Sequence, residues 1–207
     1  MGKTRATIGR LGLAMAALPA AVGAWKQLGA QEYQVDLGAL REVRFISRAS
    51  IEEFEGVTDR IDGYILLDGA PLGPESGGSD TELYFEVDLA SLDTGIGLRN
   101  RHMRDNYLEV EDHPYAAFSG GVAGVAPLSA GGFRVTATGG MSIHGVEREM
   151  QIPCDVTLRG EGYRARCSFQ VLLTDFDIEI PRVMFLKLAN EIRLELDFSV
   201  VPAGGDS

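Results

Sequence analysis

Marks of catalysis and of nucleic-acid binding are scarce in this chain. Of its 207 residues only three are histidine, His102, His113 and His144. No two of them stand at the H-x-x-x-H spacing that turns a pair of imidazoles toward one metal ion. G-x-S-x-G, P-loop and C-x-x-C motifs are absent, so nucleophilic hydrolysis, phosphate cradling and dithiol redox chemistry all lack their usual sequence signature. Lys and Arg total 19 against 30 Asp and Glu, a net charge of −11, where a nucleic-acid-binding chain would show a basic face. The one basic cluster, Arg99, Arg101 and Arg104, sits beside Asp105, Glu109, Glu111 and Asp112 and reads as a solvated surface segment. Asp93 with Thr94, and Asp175 with Asp177, have no base, metal or nucleophile beside them in the sequence and read as turn-capping groups. His144, ahead of Gly145, reads as a hydrogen-bonded imidazole in a tight turn. No apolar run approaches the ~20 residues of a membrane-spanning helix.

What is present begins with a leader. Lys3, Arg5 and Arg10 form a positive start, and Leu11 to Ala24 is an uncharged, mainly apolar run interrupted by Pro19, as in a secretory signal. Residues 1–30 are therefore expected to be a signal peptide cut after Ala30, with Ala24 as the alternative cut and retention as an anchor as the other outcome. No Arg-Arg pair is present, which favours export of an unfolded chain. Periplasmic or secreted localisation follows. Removing the four basic residues Lys3, Arg5, Arg10 and Lys26 takes the net charge from −11 to −15, which disfavours adsorption to anionic membranes. Residues 31–207 show no repeat or second composition block, and one domain with a sizeable core is expected.

Beyond residue 31 the dominant period is two, the mark of half-buried strands. Leu83, Phe85, Val87 and Leu89 alternate with Tyr84, Glu86 and Asp88; Phe133, Val135 and Ala137 alternate with Arg134, Thr136 and Thr138. Met150, Ile152, Cys154, Val156 and Leu158 share one face, as do Ile192, Leu194, Leu196, Phe198 and Val200. With glycine at 26 residues, sitting in most of the connections, the pattern predicts an antiparallel sheet with one apolar and one charged face. Closure into an up-and-down barrel of about eight strands hides that face and the edges together. A two-sheet sandwich fits the same period nearly as well. Short helices are expected around Ser50 to Phe54 and around Leu98 to Tyr107.

A hairpin centred on Arg159-Gly160-Glu161-Gly162 pairs Leu158 with Tyr163, and Cys154 and Cys167 are equidistant from that centre. They would face each other across neighbouring strands, close enough for a disulfide, and an exported protein meets an oxidising compartment. Two buried thiols are the alternative.

The stretch Ser91 to Phe118 carries a more specific pattern: Ser91, Thr94 and Gly95, then Arg99, Asn100, His102 and Met103, then Tyr107 and Leu108, then Pro114 and Phe118. It resembles the signature of the YceI-like family of lipid-binding proteins. Further matches are Tyr33-x-Val35-Asp36, Phe54-x-Gly56, Ile61-x-Gly63, the turn Met141 to Val146, and Leu188-x-Asn190-Glu191-Ile192. The His-Ser pair common after the first Asp is missing, and one extra residue precedes Val43 and Phe45, so the register of the first strand stays open. The resemblance implies an all-β, lipocalin-like barrel with an elongated apolar cavity and a helix over one mouth. It also implies a bound polyisoprenoid, such as a polyprenyl quinone or polyprenyl phosphate, with no cofactor required; the family includes dimers, so a homodimer is an option. No metal or catalytic site is expected, and no nucleic-acid partner.

Ligand contact is accordingly expected from Phe45, Leu83, Phe85, Val87, Phe133, Met141, Ile143, Phe169, Leu194 and Phe198, with the smaller Ala137, Ala165 and Val171 leaving room between them. Arg99 and His102 are the candidates for a headgroup. A barrel filled by the same side chains is the alternative interior. A hydrolase or other envelope enzyme on a β scaffold is the alternative function, opposed by the missing nucleophile–base pair.

The only tryptophan is Trp25. Cleavage after Ala30 yields a mature protein without indole emission; tryptophan-type fluorescence from protein purified from the envelope overturns that site.

Overall fold

The computed structural model describes residues 29–48, 53–74, 81–183, 186–187 and 189–204. Nearly all of the expected leader, residues 50–52 and the end of the tail lie outside them. In chain order the strands are β1 (Gln31–Val35), β2 (Glu42–Arg48), β3 (Glu53–Thr58), β4 (Ile61–Leu67), β5 (Thr81–Asp88), β6 (Tyr115–Pro127), β7 (Phe133–Ile143), β8 (Val146–Arg159), β9 (Gly162–Leu172), β10 (Arg182–Val183), β11 (Leu186–Lys187) and β12 (Glu191–Pro202). One helix, α1 (Gly97–Asn106), and two 3₁₀ turns, Leu89–Ser91 and Leu173–Phe176, interrupt them.

Eight strands close a circle in the order β1-β4-β5-β6-β7-β8-β9-β12, and β12 pairs back onto β1. All pairings are antiparallel, and the fold is a closed barrel rather than a sandwich. One edge of β12 lies on β9 from Glu191 to Val200. The other edge serves two partners in tandem, with Val200, Val201 and Pro202 on β1 and Ile192 to Asp197 on β2. β3 and β4 are divided in the same way, β3 on β2 and β4 on β1. The first two barrel strands are therefore each broken, which accounts for the extra residue before Val43: the loop Asp36 to Arg41 absorbs it, and Arg41 anchors the loop by donating to the Asp36 and Asp59 carbonyls.

One expectation about local structure needs correction. Glu53 and Phe54 belong to β3 rather than to a helix. Phe54 sits opposite Ser47 and its ring meets Phe45 edge-on at 6.0 Å, so cross-strand packing overrides the local helical tendency. Glycines occupy strands as well as connections. Gly56 and Gly63 lie directly opposite Phe45 and Phe85, and a side chain at either would overlap the facing ring or strand. These pairs let two large rings lie flat on a neighbouring backbone, a known way of stabilising glycine in sheets.

α1 starts without a side-chain cap at Ile96 and buries none of its residues. It is held instead by polar ties to the preceding turn. The Asn100 Oδ1 accepts from the Thr94 N–H at 2.8 Å and its hydroxyl at 2.6 Å, and Arg104 donates to the Leu92 carbonyl at 2.7 Å. Asp93 caps the same turn by accepting from Gly95 and Asn100, which holds its carboxyl below the usual range, the Asn100 bond contributing most. Arg99 and Arg104 are thus structural, not merely solvated.

The barrel interior is unequal along its axis. One end is a plug in which Tyr163 meets Tyr33 at 5.1 Å and Phe133 at 6.4 Å, and the Leu72 N–H donates to the Tyr163 hydroxyl. Burial, with Tyr33 alongside, pushes the Tyr163 phenol up to about 12. On the outer face Arg164 forks onto Asp197, with Arg166 on the same carboxylate. Burial alone would raise that carboxyl, but the two arginines outweigh it and hold the group below its usual value. Leu158, expected to face inward, is 71% exposed, although Tyr163, its partner across the hairpin, is buried. Among the described residues no helix is long and apolar enough to cross a membrane.

Cys154 and Cys167 are opposite one another in the β8–β9 ladder and are joined by a disulfide with Cα atoms 4.1 Å apart. Envelope-derived protein should be lighter by the mass of two hydrogen atoms before reduction than after it, and labelling of both thiols without reductant overturns the bond. Replacing both cysteines by alanine should cost about 2–3 kcal/mol of unfolding free energy, the value for a closed loop of this size, measurable by urea denaturation.

Candidate functional site

The other end of the barrel is not filled. A cavity of about 790 Å³ opens there, within the ~300–1,000 Å³ range of small-molecule sites. Its floor is the contact between the Phe85 and Phe198 rings, 5.0 Å apart. Its walls come from inward positions of β2 to β7, β9 and β12, and its rim from α1, the 3₁₀ turns and the segment through Pro181. The wall is apolar because each contributing strand turns its period-two apolar face inward.

Phe45, Phe85, Val87, Met141, Ile143, Phe169 and Leu194 all line this cavity, as do Arg99 and His102 at the rim. Leu83, Phe133 and Phe198 do not. All three point inward and are buried, but Phe133 belongs to the aromatic plug, Leu83 sits opposite Ile65 and Gly120 in the filled half, and Phe198 lies under the floor. Strand parity distinguishes inside from outside; it carries no information about height along the barrel axis.

Residues outside the expected set complete the wall. Phe54, Leu92, Met103, Leu108, Phe176 and Ile178 all line it. Most lie on the helix or on irregular segments, where no two-residue period exists to reveal an inward side chain. Ser47 also lines the cavity, is 1% exposed, and its Oγ has no hydrogen-bond partner among the described residues. Its parity with Val43 and Phe45 was available in the sequence, but a lone serine in a search for apolar faces carries little signal.

The polar groups of the cavity converge on the mouth. Ser47 pairs with Phe54, and the Arg99 guanidinium lies 4.7 Å above the Phe54 ring. Arg99 commits Nε to the Thr94 hydroxyl and Nη2 to the Thr94 carbonyl. On its far side Arg99 borders a smaller polar pocket that also contains Glu53 and Glu55, whose carboxylates are paired with Arg48 and Arg44. Ser47 is the only serine or threonine among the described lining residues; with no base touching its hydroxyl, it is not activated as a nucleophile. Outside the rim the fold gathers Glu109, His113 and His144, which the sequence keeps 35 residues apart at its widest pair.

The sequence profile of the YceI-like domain matches residues 33–200. Three solved structures share the fold at low identity. BcnA of Burkholderia cenocepacia superposes with a TM-score of 0.65 at 18% identity, over 81% of this chain and 99% of that one. A polyisoprenoid-binding domain from Saccharophagus degradans, implicated in plant cell wall breakdown, gives 0.61 at 20% identity, over 82% and 98%. The YCEI protein of Campylobacter jejuni gives 0.54 at 14%, over 81% and 92%. No curated protein matches the chain in sequence. With the profile spanning the barrel from β1 to β12 and its cavity, this chain belongs to the YceI-like domain family.

Proposed function

We propose that this protein is a non-catalytic carrier of an elongated apolar lipid of the polyisoprenoid class, held in the open half of the barrel with its polar end at the α1 mouth. The observation that carries the reading is the cavity itself, about 790 Å³ of apolar-walled space in a barrel whose other half is packed solid. Each CH₂ moved from water into such a wall gains ~0.8 kcal/mol. The structural neighbour from Saccharophagus degradans, described as a polyisoprenoid-binding domain, supports the ligand class. The headgroup is neutral and oxygen-bearing, of the quinone kind, rather than a phosphate. Ser47 offers one buried, unpaired hydroxyl, a match for a carbonyl acceptor, whereas the Arg99 guanidinium already donates to the Thr94 hydroxyl and carbonyl. Export to the periplasm or beyond, directed by the cleaved leader 1–30, is part of the same proposal and accords with a disulfide in the barrel wall.

Mass spectrometry of an organic extract of purified protein should find one isoprenoid lipid per chain; protein that is lipid-free from every envelope preparation overturns the proposal. Phe85→Asp places a carboxylate at the cavity floor, which costs several kcal/mol or forces protonation, and should abolish lipid retention. Glu86→Ala, on the outer face beside Tyr84, should retain lipid. The opposite pattern in folded protein rejects the cavity as the binding site.

Ser47→Ala separates headgroup contact from fold. Removing an unpaired buried hydroxyl should stabilise lipid-free protein by about 1 kcal/mol, while the lost hydrogen bond weakens lipid retention about fivefold to tenfold. Thermal melts and competitive extraction read the two effects, and unchanged retention rejects Ser47 as a headgroup contact.

A further inference from the structure

We infer that Glu109, His113 and His144 form a binding site for a divalent transition-metal ion on the outer rim of the barrel, with zinc as the fitting probe. The ligand atoms of the three side chains lie within 4.8 Å of one another. They come from two distant segments. Glu109 and His113 flank the turn between α1 and β6, where the His113 and Asp112 N–H groups both donate to the Glu109 carbonyl. That bond closes one helical-type turn and puts the two side chains on the same side. His144 is the first residue of the two-residue β7–β8 hairpin, whose flanking pair is Ile143 with Val146.

The environment of His144 is what calls for a cation. Its Nδ1 lies 3.2 Å from the Phe176 carbonyl and its Nε2 3.1 Å from a Glu109 carboxylate oxygen. Both partners are acceptors only. A neutral imidazole carries one N–H and one lone pair, so either tautomer leaves one nitrogen lone pair pointed at an oxygen. With Nδ1–H donating to the Phe176 carbonyl, the arrangement that commonly orients a metal-bound histidine, the Nε2 lone pair and the Glu109 carboxylate face each other across a gap that a metal ion would fill. The second imidazole, His113, has its ring centroid 4.8 Å from that of His144.

The dimensions suit zinc. With metal–ligand distances of ~2.0–2.1 Å in a tetrahedron, neighbouring donor atoms stand about 3.3 Å apart, and the Glu109–His144 pair is already at 3.1 Å. The widest separation, 4.8 Å, then closes by about 1.5 Å, a side-chain rotation for the exposed Glu109 and half-buried His113. His144 and Gly145, with φ of 53° and 73°, adopt the conformation that a two-residue hairpin turn requires, which fixes where the His144 ring is presented. Gly145, which a side chain would drive into His113, leaves room for that ring. Two imidazoles and one carboxylate, with a fourth position open to solvent, select zinc, nickel or copper over magnesium or calcium, whose sites are built from oxygen.

The test uses untagged, full-length protein stripped with chelator and titrated with zinc chloride by calorimetry, with thermal melts alongside. One zinc per chain with a micromolar or tighter Kd, and a melting temperature raised by zinc but not by magnesium or calcium at equal concentration, is the expected result. His113→Phe keeps a ring beside His144 and Gly145 but removes a ligand, and should weaken zinc binding by at least about tenfold. Glu109→Gln, at a side chain 52% exposed, is not expected to disturb folding and should do the same. Absence of saturable binding in the parent protein, or binding in both variants equal to the parent, overturns the site; a doubly protonated His144 held by Glu109 and Phe176 alone would give that outcome.

Discussion

The pairing of β12 is the constraint on which the rest of the structure depends. A sheet of eight antiparallel strands has two edges full of unpaired N–H and C=O groups, and this one removes both by bringing its last strand back to its first. β12 is long enough to serve β9 along one edge and both β1 and β2 along the other. That tandem arrangement keeps both halves of the first broken strand, β1 and β2, paired to β12, and a bridge from Val57 to Asp93 ties the outer edge of β3. One end of the barrel, closed by the aromatic plug, is the narrow one, and the end that holds the cavity is the wide one.

From this asymmetry come the two halves of the interior. At the narrow end Tyr33, Phe133 and Tyr163 meet ring to ring and the disulfide ties β8 to β9, so there is no room for a guest. At the wide end the same kinds of side chain face one another across a larger gap. Phe45 lies over Gly56 on the wall, while Phe85, over Gly63, reaches Phe198 and closes the floor. The difference between core and cavity is one of spacing between strands, not of composition.

Polarity at the wide end is equally uneven. Inside, the unpaired hydroxyl of Ser47, with Arg99, His102 and Tyr107 toward the mouth, interrupts an apolar wall, which provides orientation for a ligand without the cost of desolvating several charges. Outside, the turns that carry Leu108, Ile143 and Phe176 into the rim also carry Glu109, His144 and the Phe176 carbonyl out of it. The rim therefore has an apolar inner surface and a metal-type donor set on its outer surface, built from the same short segments.

How much of this was legible in the sequence depends on range. Alternation at Leu83 to Leu89 or at Ile192 to Val200 identifies strands and their inward faces, because the direction of a side chain in a strand is set by its immediate neighbours. The opposition of Cys154 and Cys167 follows from counting out from one hairpin, which is also local. The helix expected over Leu98 to Tyr107 appears at Gly97–Asn106. The placing of Phe133 in the plug and Phe169 in the cavity, the missed walls at Phe54 and Phe176, and the meeting of His113 with His144 were decided only by the tertiary structure. Height along a barrel axis depends on the tilt and stagger of strands paired far apart in sequence, and a period of two is the same at every height.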